Sequence, residues 1–140
     1  MENIKANGWL HINAFSKGKK VWEISGKNMI VNGGYGAIIE ALGGGTGFNI
    51  DKAQIGTNGT AAAASDTAIT GPIDLTTTHT ISDGKIVFNF TLSESVGNGT
   101  TFAEFGLITE GGILFARKAV TPFPKIADLS LNCTWTINIQ

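Results

Sequence analysis

At the end of the chain Leu129, Leu131, Cys133, Trp135, Ile137 and Ile139 alternate with Ser130, Asn132, Thr134, Thr136 and Asn138. Successive side chains of a strand point to opposite faces, so this period of two predicts a strand with one buried face. Ile86, Phe88, Phe90 and Leu92 alternate in the same way with Val87, Asn89 and Thr91 and predict another. Residues 9–15 and 20–24 flank Ser16-Lys17-Gly18-Lys19, where Gly18 can take the positive φ of a tight turn, so two strands open the chain as a hairpin. Residues 102–109 and 113–119 flank Glu110-Gly111-Gly112 and predict a second hairpin.

The intervening segments lack this simple alternation. Asn32 is placed to cap a short helix in which Tyr35, Ile38, Ile39 and Leu42 recur at helical spacing and pack one face, and Gly43-Gly44-Gly45 stops it. Ala53-Gln54-Ile55 reads as a short buried strand. Gly56-Thr57-Asn58-Gly59-Thr60, the alanines after it and Ser65-Asp66-Thr67 read as a long loop, the least packed part of the chain. Residues 69–81, rich in threonine and only patchily apolar, suit an edge strand or an irregular crossing from one sheet to the other. Pro122 and Pro124 break the pattern before the final strand. About seven or eight short strands with one short helix predict an all-β fold, a β-sandwich or jelly-roll-like domain, with a partly closed barrel as the alternative. No internal repeat at a fixed period points to a solenoid or propeller.

Length and composition narrow this further. A chain of 140 residues supports one domain and can bury roughly two-thirds of its unfolded surface without a metal or disulfide. A strand that runs to the last residue adds the expectation that residues 1–140 form a single complete domain. Residues 1–7 carry few apolar anchors and read as a flexible N-terminal arm that a partner would order. The start lacks the apolar run of a secretion signal, and no stretch approaches the ~20 apolar residues that span a bilayer, so synthesis in a cytoplasm and no membrane partner are expected. A net charge of -1 provides no long-range field for nucleic acid, and Lys5, Lys17, Lys19, Lys20 and Lys27 read as a solvated hairpin face. With 19 glycines and 15% charged residues, the chain describes a turn-rich β protein whose weakly charged surface suits contact with other proteins. Cys133, the sole cysteine, excludes an internal disulfide and reads as a buried free thiol.

The search for chemistry predicts no catalytic, cofactor-binding or metal-ligating residues. His11 and His79 are far apart in sequence with no partner at metal-ligand spacing, and read as surface or edge-strand side chains. Cys133 has no base and no nucleophile-elbow turn around it. Gly43-Gly44-Gly45-Thr46-Gly47 follows a helix instead of joining a strand to one, and Gly33-Gly34-Tyr35-Gly36 lacks dinucleotide-binding spacing. If Gly111 and Gly112 centre their turn, Glu104 opposes Ala119 and lies diagonal to Arg117, which predicts a structural ion pair. Glu94 and Glu110 stand at no spacing that would make a glycosidase pair with Glu104. Trp9, Trp22, Phe88, Phe90, Phe102, Phe105, Phe115 and Trp135 fall mostly on strands and read as core, since a sugar-stacking platform needs several exposed on one face. A small hydrolase or lectin domain, centred on Glu104 or on exposed aromatics, is the competing class.

Taken together, Asn28-Met29-Ile30-Val31-Asn32-Gly33-Gly34 with Ile38, Ile39 and Leu42, then Ile55-Gly56-Thr57-Asn58-Gly59-Thr60 and Ser65-Asp66-Thr67-Ala68-Ile69, resembles small structural proteins of tailed-bacteriophage virions. Phe102-Ala103-Glu104-Phe105-Gly106-Leu107-Ile108, Leu114-Phe115-Ala116-Arg117, Lys125 and the closing strand look like the rest of that pattern, so the resemblance spans residues from about 20 to 140. It implies a non-enzymatic β domain without cofactors, located in the virion. Its implied partners are further copies of itself, as a dimer or trimer, and other virion proteins, either the major capsid protein or tail proteins. Capsid decoration or cement is the favoured role, because the chain has no coiled coil or fibre repeat, with a tail-fibre or baseplate component as the alternative.

Overall fold

The structure, a computed structural model, describes residues 5–139. Its elements are β1 (Ala6–Ser16), β2 (Lys19–Ile30), α1 (Asn32–Leu42), β3 (Ile50–Gly56), β4 (Ile73–Thr76), β5 (Thr78–Ser82), β6 (Lys85–Leu92), β7 (Thr101–Thr109), β8 (Leu114–Pro124) and β9 (Leu129–Ile139). The strands pair antiparallel in the order β4-β3-β7-β8-β2-β1-β9-β6-β5.

This run of strands folds into two layers, a first sheet of β2-β1-β9-β6-β5 and a second of β4-β3-β7-β8 joined by the end of β2, because two segments change sheets. Strand β2 pairs with β1 from Ser16↔Lys19 to Gly8↔Asn28, and its last residues then pair with β8 as Met29↔Arg117 and Ile30↔Ala116. On the opposite margin β4 pairs with β3, Thr77 interrupts, and β5 pairs with β6. The crossing expected over 69–81 falls at this break. The outcome is an all-β, nearly closed sandwich with one short helix.

The two layers meet through the apolar members of each alternating strand. Leu10, Ile12, Phe88, Phe90, Leu131 and Trp135 from one layer bury against Ile55, Phe102, Phe105, Leu107 and Phe123 from the other. Ring centroids lie 6.5 Å apart for Phe90 and Phe105 and 5.2 Å apart for Trp22 and Phe123. Fully burying a large apolar side chain contributes about 1.5–3 kcal/mol, so these strands are held chiefly by their inner faces. The Trp135 indole N–H is satisfied within the core by donating to Asn28 Oδ1 at 2.8 Å. Gly8 makes room for this contact, since a Cβ there would run into the Asn28 amide.

Strand β7 departs from alternation: from Phe102 to Thr109 every residue is buried. Its outer face is covered, because Ile69 from the 57–72 loop packs with Val31, Ile108 and Leu114 in a second, smaller core. Ile69 comes from the start of the 69–81 segment, whereas residues 57–68, expected to be the least packed, are exposed apart from the half-buried Ala62 and Asp66. Gly106 sits beneath Ile69, where a Cβ would approach Ile69 Cδ1 to 2.8 Å.

Several boundaries differ from expectation. The first hairpin extends to Ala6 and Ile30, so Ala6 and Asn7 of the expected arm are strand residues opposite Ile139 and Asn138; the start of that arm lies outside the described residues. Strand β8 continues through Pro122 and Pro124. It can do so because β2 pairs only with Ala116 and Arg117, leaving the far half of β8 an edge where no ladder N–H is required. Helix α1 is capped by Val31, not by Asn32, and without a side-chain bond; the Asn32 N–H instead donates to the Ala64 carbonyl at 2.8 Å. Its buried residues are Gly34 and Ala37, with Tyr35 and Ile38 partly buried, whereas Ile39 and Leu42 point to solvent. The helix rests on β8 through its smallest side chains, so the apolar stripe is only half used.

Candidate functional site

Glu104 and Arg117 form the most concentrated charge cluster, and the hairpin register brings them together as expected: Glu104 faces Ala119 and Gly106 faces Arg117. Arg117 Nε donates to Glu104 Oε1 at 2.8 Å, and both side chains are almost completely buried. The remaining bonds reach into the 57–72 loop. Arg117 donates through its two terminal nitrogens to Asp66 Oδ2 at 3.0 Å and to the Asn58 carbonyl at 2.8 Å. Glu104 Oε2 accepts the backbone N–H groups of Asn58 at 2.8 Å and Thr70 at 3.0 Å. Asp66 Oδ2 also accepts from the Ala63 N–H at 2.8 Å.

This geometry decides the chemistry available to Glu104. A catalytic carboxylate needs an oxygen free to meet substrate or a proton, yet here one oxygen holds a guanidinium and the other holds two amides. The cluster is a fastener for the loop, and the expected ion pair is its centre. Sequence spacing reveals the pair; Asn58 and Asp66 are legible only as loop residues and Thr70 only as part of an edge strand or crossing, because their part depends on a fold-back that no local pattern encodes.

Lys125 is a second buried cation, to which the sequence pattern assigns no role. Lys125 lies just beyond β8, and its Nζ donates to the Glu94 carbonyl at 3.0 Å, to Asn98 Oδ1 at 2.7 Å and to the Ile126 carbonyl at 3.0 Å. Burial holds its pKa below the ordinary lysine value, with the Glu94 charge acting in the opposite sense. Three acceptors saturate an ammonium, so Lys125 ties the β6–β7 connection to the end of β8.

The histidines stay apart. His11 Nε2 bonds Glu23 Oε2 at 2.7 Å across β1 and β2, and Lys20 Nζ reaches Glu23 Oε1 at 3.1 Å. The bonds to His11 and then Lys20 hold the exposed Glu23 carboxyl below its ordinary pKa. His79 sits on edge strand β5 with its ring 5.8 Å from that of Phe88. Among the described residues no group of three or more His, Cys, Asp or Glu side chains is placed to hold a metal ion. Cys133 is buried, and burial pushes its thiol pKa far up. Gly33 and Gly34 let α1 approach the Leu114 and Phe115 carbonyls, and Gly45 stands close to Glu40 O and the Phe48 ring, so both glycine runs serve packing and turns.

The outer face of the first sheet is different in character. Thr134 stands between His11 and Asn89, Asn132 between Asn13 and Thr91, and Thr136 between Trp9 and Val87. Trp9 is 47% exposed there, whereas Phe88, Phe90, Phe102, Phe105, Phe115 and Trp135 are buried and Trp22 is partly so. A groove of about 380 Å³ opens in this face, lined by Thr76, Thr78, Asn89, Thr91, Asn132 and Thr134 together with the strand residues Phe90 and Cys133, which are themselves buried. Among the described residues no helix is long and apolar enough to cross a membrane.

Compared with known protein families, curated proteins and solved structures, the chain matches none.

Proposed function

We propose that this chain is a non-enzymatic structural protein of a tailed-bacteriophage virion, acting as a capsid decoration or cement subunit that docks on the capsid lattice as a dimer or trimer. The observation that carries the reading is the unspent side of α1: Ile39 is 65% and Leu42 75% exposed. Single exposed apolar residues are ordinary on any protein. These two are neighbours on one helical face, three residues apart, and the start of the same helix adjoins Ile113, which is 36% exposed beside the β7–β8 turn. Such a surface suits a protein neighbour more than a small polar substrate. The body behind it favours the same role, because Glu104, Arg117 and Lys125 are committed to holding loops still. The sequence resemblance supplies the identity of the assembly.

Capsids of the encoding phage or prophage, prepared without this chain, supply the test. Added protein should sediment with them to a saturating copy number, and a double variant Ile39→Asp, Leu42→Asp with unchanged circular dichroism should remain in the supernatant. Wild-type protein that fails to sediment with capsids would overturn the capsid role. Full binding by the double variant would overturn docking through α1.

A further inference from the structure

We propose that the groove on the outer face of the first sheet is a binding site for a neutral glycan, a site that does not depend on the virion role. The groove has a structural origin. Pairing between β5 and β6 runs from Ser82↔Lys85 to Thr78↔Asn89 and stops there, since the strand is interrupted at Thr77 and β4 turns away to pair with β3. Phe90, Thr91 and Leu92 therefore have no β5 partner, and the sheet opens along their edge. Its volume of about 380 Å³ falls within the ~300–1,000 Å³ usual for small-molecule sites.

The lining selects the ligand class. Thr76, Thr78, Asn89, Thr91, Asn132 and Thr134 are exposed and uncharged, and they present both donors and acceptors. Thr134 Oγ1 donates to Asn89 Oδ1 at 3.3 Å, which fixes the amide and leaves its Nδ2 donors for a ligand. A phosphate or carboxylate would find no countercharge among these side chains. A polyol would find hydroxyl and amide partners in the two orientations it needs. An added peptide strand is disfavoured, because the free edge of β6 covers only three residues.

Trp9 extends the site. It faces the same side, opposite Thr136 on β9, two strand spacings or roughly 10 Å from β6. The apolar face of a pyranose stacks on such a ring while a linked sugar unit occupies the groove. Only one of the eight candidate aromatics is exposed, so recognition rests on amides and hydroxyls with a single stacking platform.

Amide-correlation NMR with maltotriose, cellotriose and chitotriose as probes tests this. At least one trisaccharide should give saturating shifts at the side-chain amides of Asn89 and Asn132 and at the Trp9 indole N–H, with a millimolar Kd. The double variant Asn89→Ala, Asn132→Ala should bind at least tenfold more weakly with its remaining spectrum unchanged, and Trp9→Ala should weaken the trisaccharide more than a monosaccharide. Absence of saturating shifts at these amides with all three probes would overturn the proposal. So would undiminished binding by the double variant, or concentration-dependent shifts of the same signals without sugar, which would assign the face to a second copy of the chain.

Discussion

At the scale of single residues, the buried polar groups explain why a weakly charged chain still folds into one defined arrangement. Removing one partner of a buried ion pair leaves the other charge without compensation, which typically costs about 3–5 kcal/mol. Glu104→Gln keeps the shape of the side chain, and Arg117 would still hold Asp66 and the Asn58 carbonyl, so the loss is expected at the lower end, about 3 kcal/mol. Chemical denaturation should show that drop, and limited proteolysis should show new cleavage within residues 57–68 as the loop comes loose. A change below about 1 kcal/mol with the loop still protected would show that the pair does not fasten it. The pair was legible because a two-glycine turn sets the register of its hairpin and the register sets who faces whom. Lys125 was not, since its three acceptors come from a connection whose path depends on the finished sandwich.

Among the elements, α1 shows how glycine position decides packing. Gly34 lies against the Phe115 carbonyl, where a Cβ would collide with backbone, whereas nothing lies within 4 Å of a Cβ on Gly36. Gly34→Ala should force the helix off β8 and destabilise the protein by about 1–3 kcal/mol. Gly36→Ala, an exposed position in a helix interior, should stabilise it by up to about 1 kcal/mol. Thermal unfolding of the two variants checks the opposite signs, and a shared sign would contradict the close approach of helix and strand. The helix itself could be read from the spacing of Tyr35, Ile38, Ile39 and Leu42, but not which of them would be buried, because that depends on Gly34 and Ala37 bringing the axis close to β8. The strands were read best where one face is buried, as in β6 and β9. Pro122 and Pro124 predict an early end to β8 because prolines break central strands, and only the topology shows that its far half is an edge. Asp83-Gly84, with φ of 51° and 74°, makes the tight turn between β5 and β6. Its Asp-Gly signal was present in the sequence, although the threonine-rich strand before it lacks the alternation that would have drawn attention to a hairpin.

For the whole molecule, the layers divide the surface into regions of different character. The second sheet is covered by the 57–72 loop, the first sheet shows water a polar Thr/Asn face, and α1 carries exposed Ile39 and Leu42 at one side. Ile39 and Leu42 stand together on one helix, whereas Val21, Ile81, Ile126 and Ile139 are exposed singly on other parts of the chain, so the docking proposal rests on the helix pair. Sequence composition anticipated the weakly charged surface but not this division, which arises only when β2 and the β4–β5 break fold the strand order into two layers. Cryo-electron microscopy of intact virions from the phage or prophage that encodes this chain tests the central claim most directly. The account predicts two-layered β density repeated across the icosahedral lattice, with α1 turned toward the capsid protein. Density confined to the tail, or a particle that does not contain the chain, would contradict it.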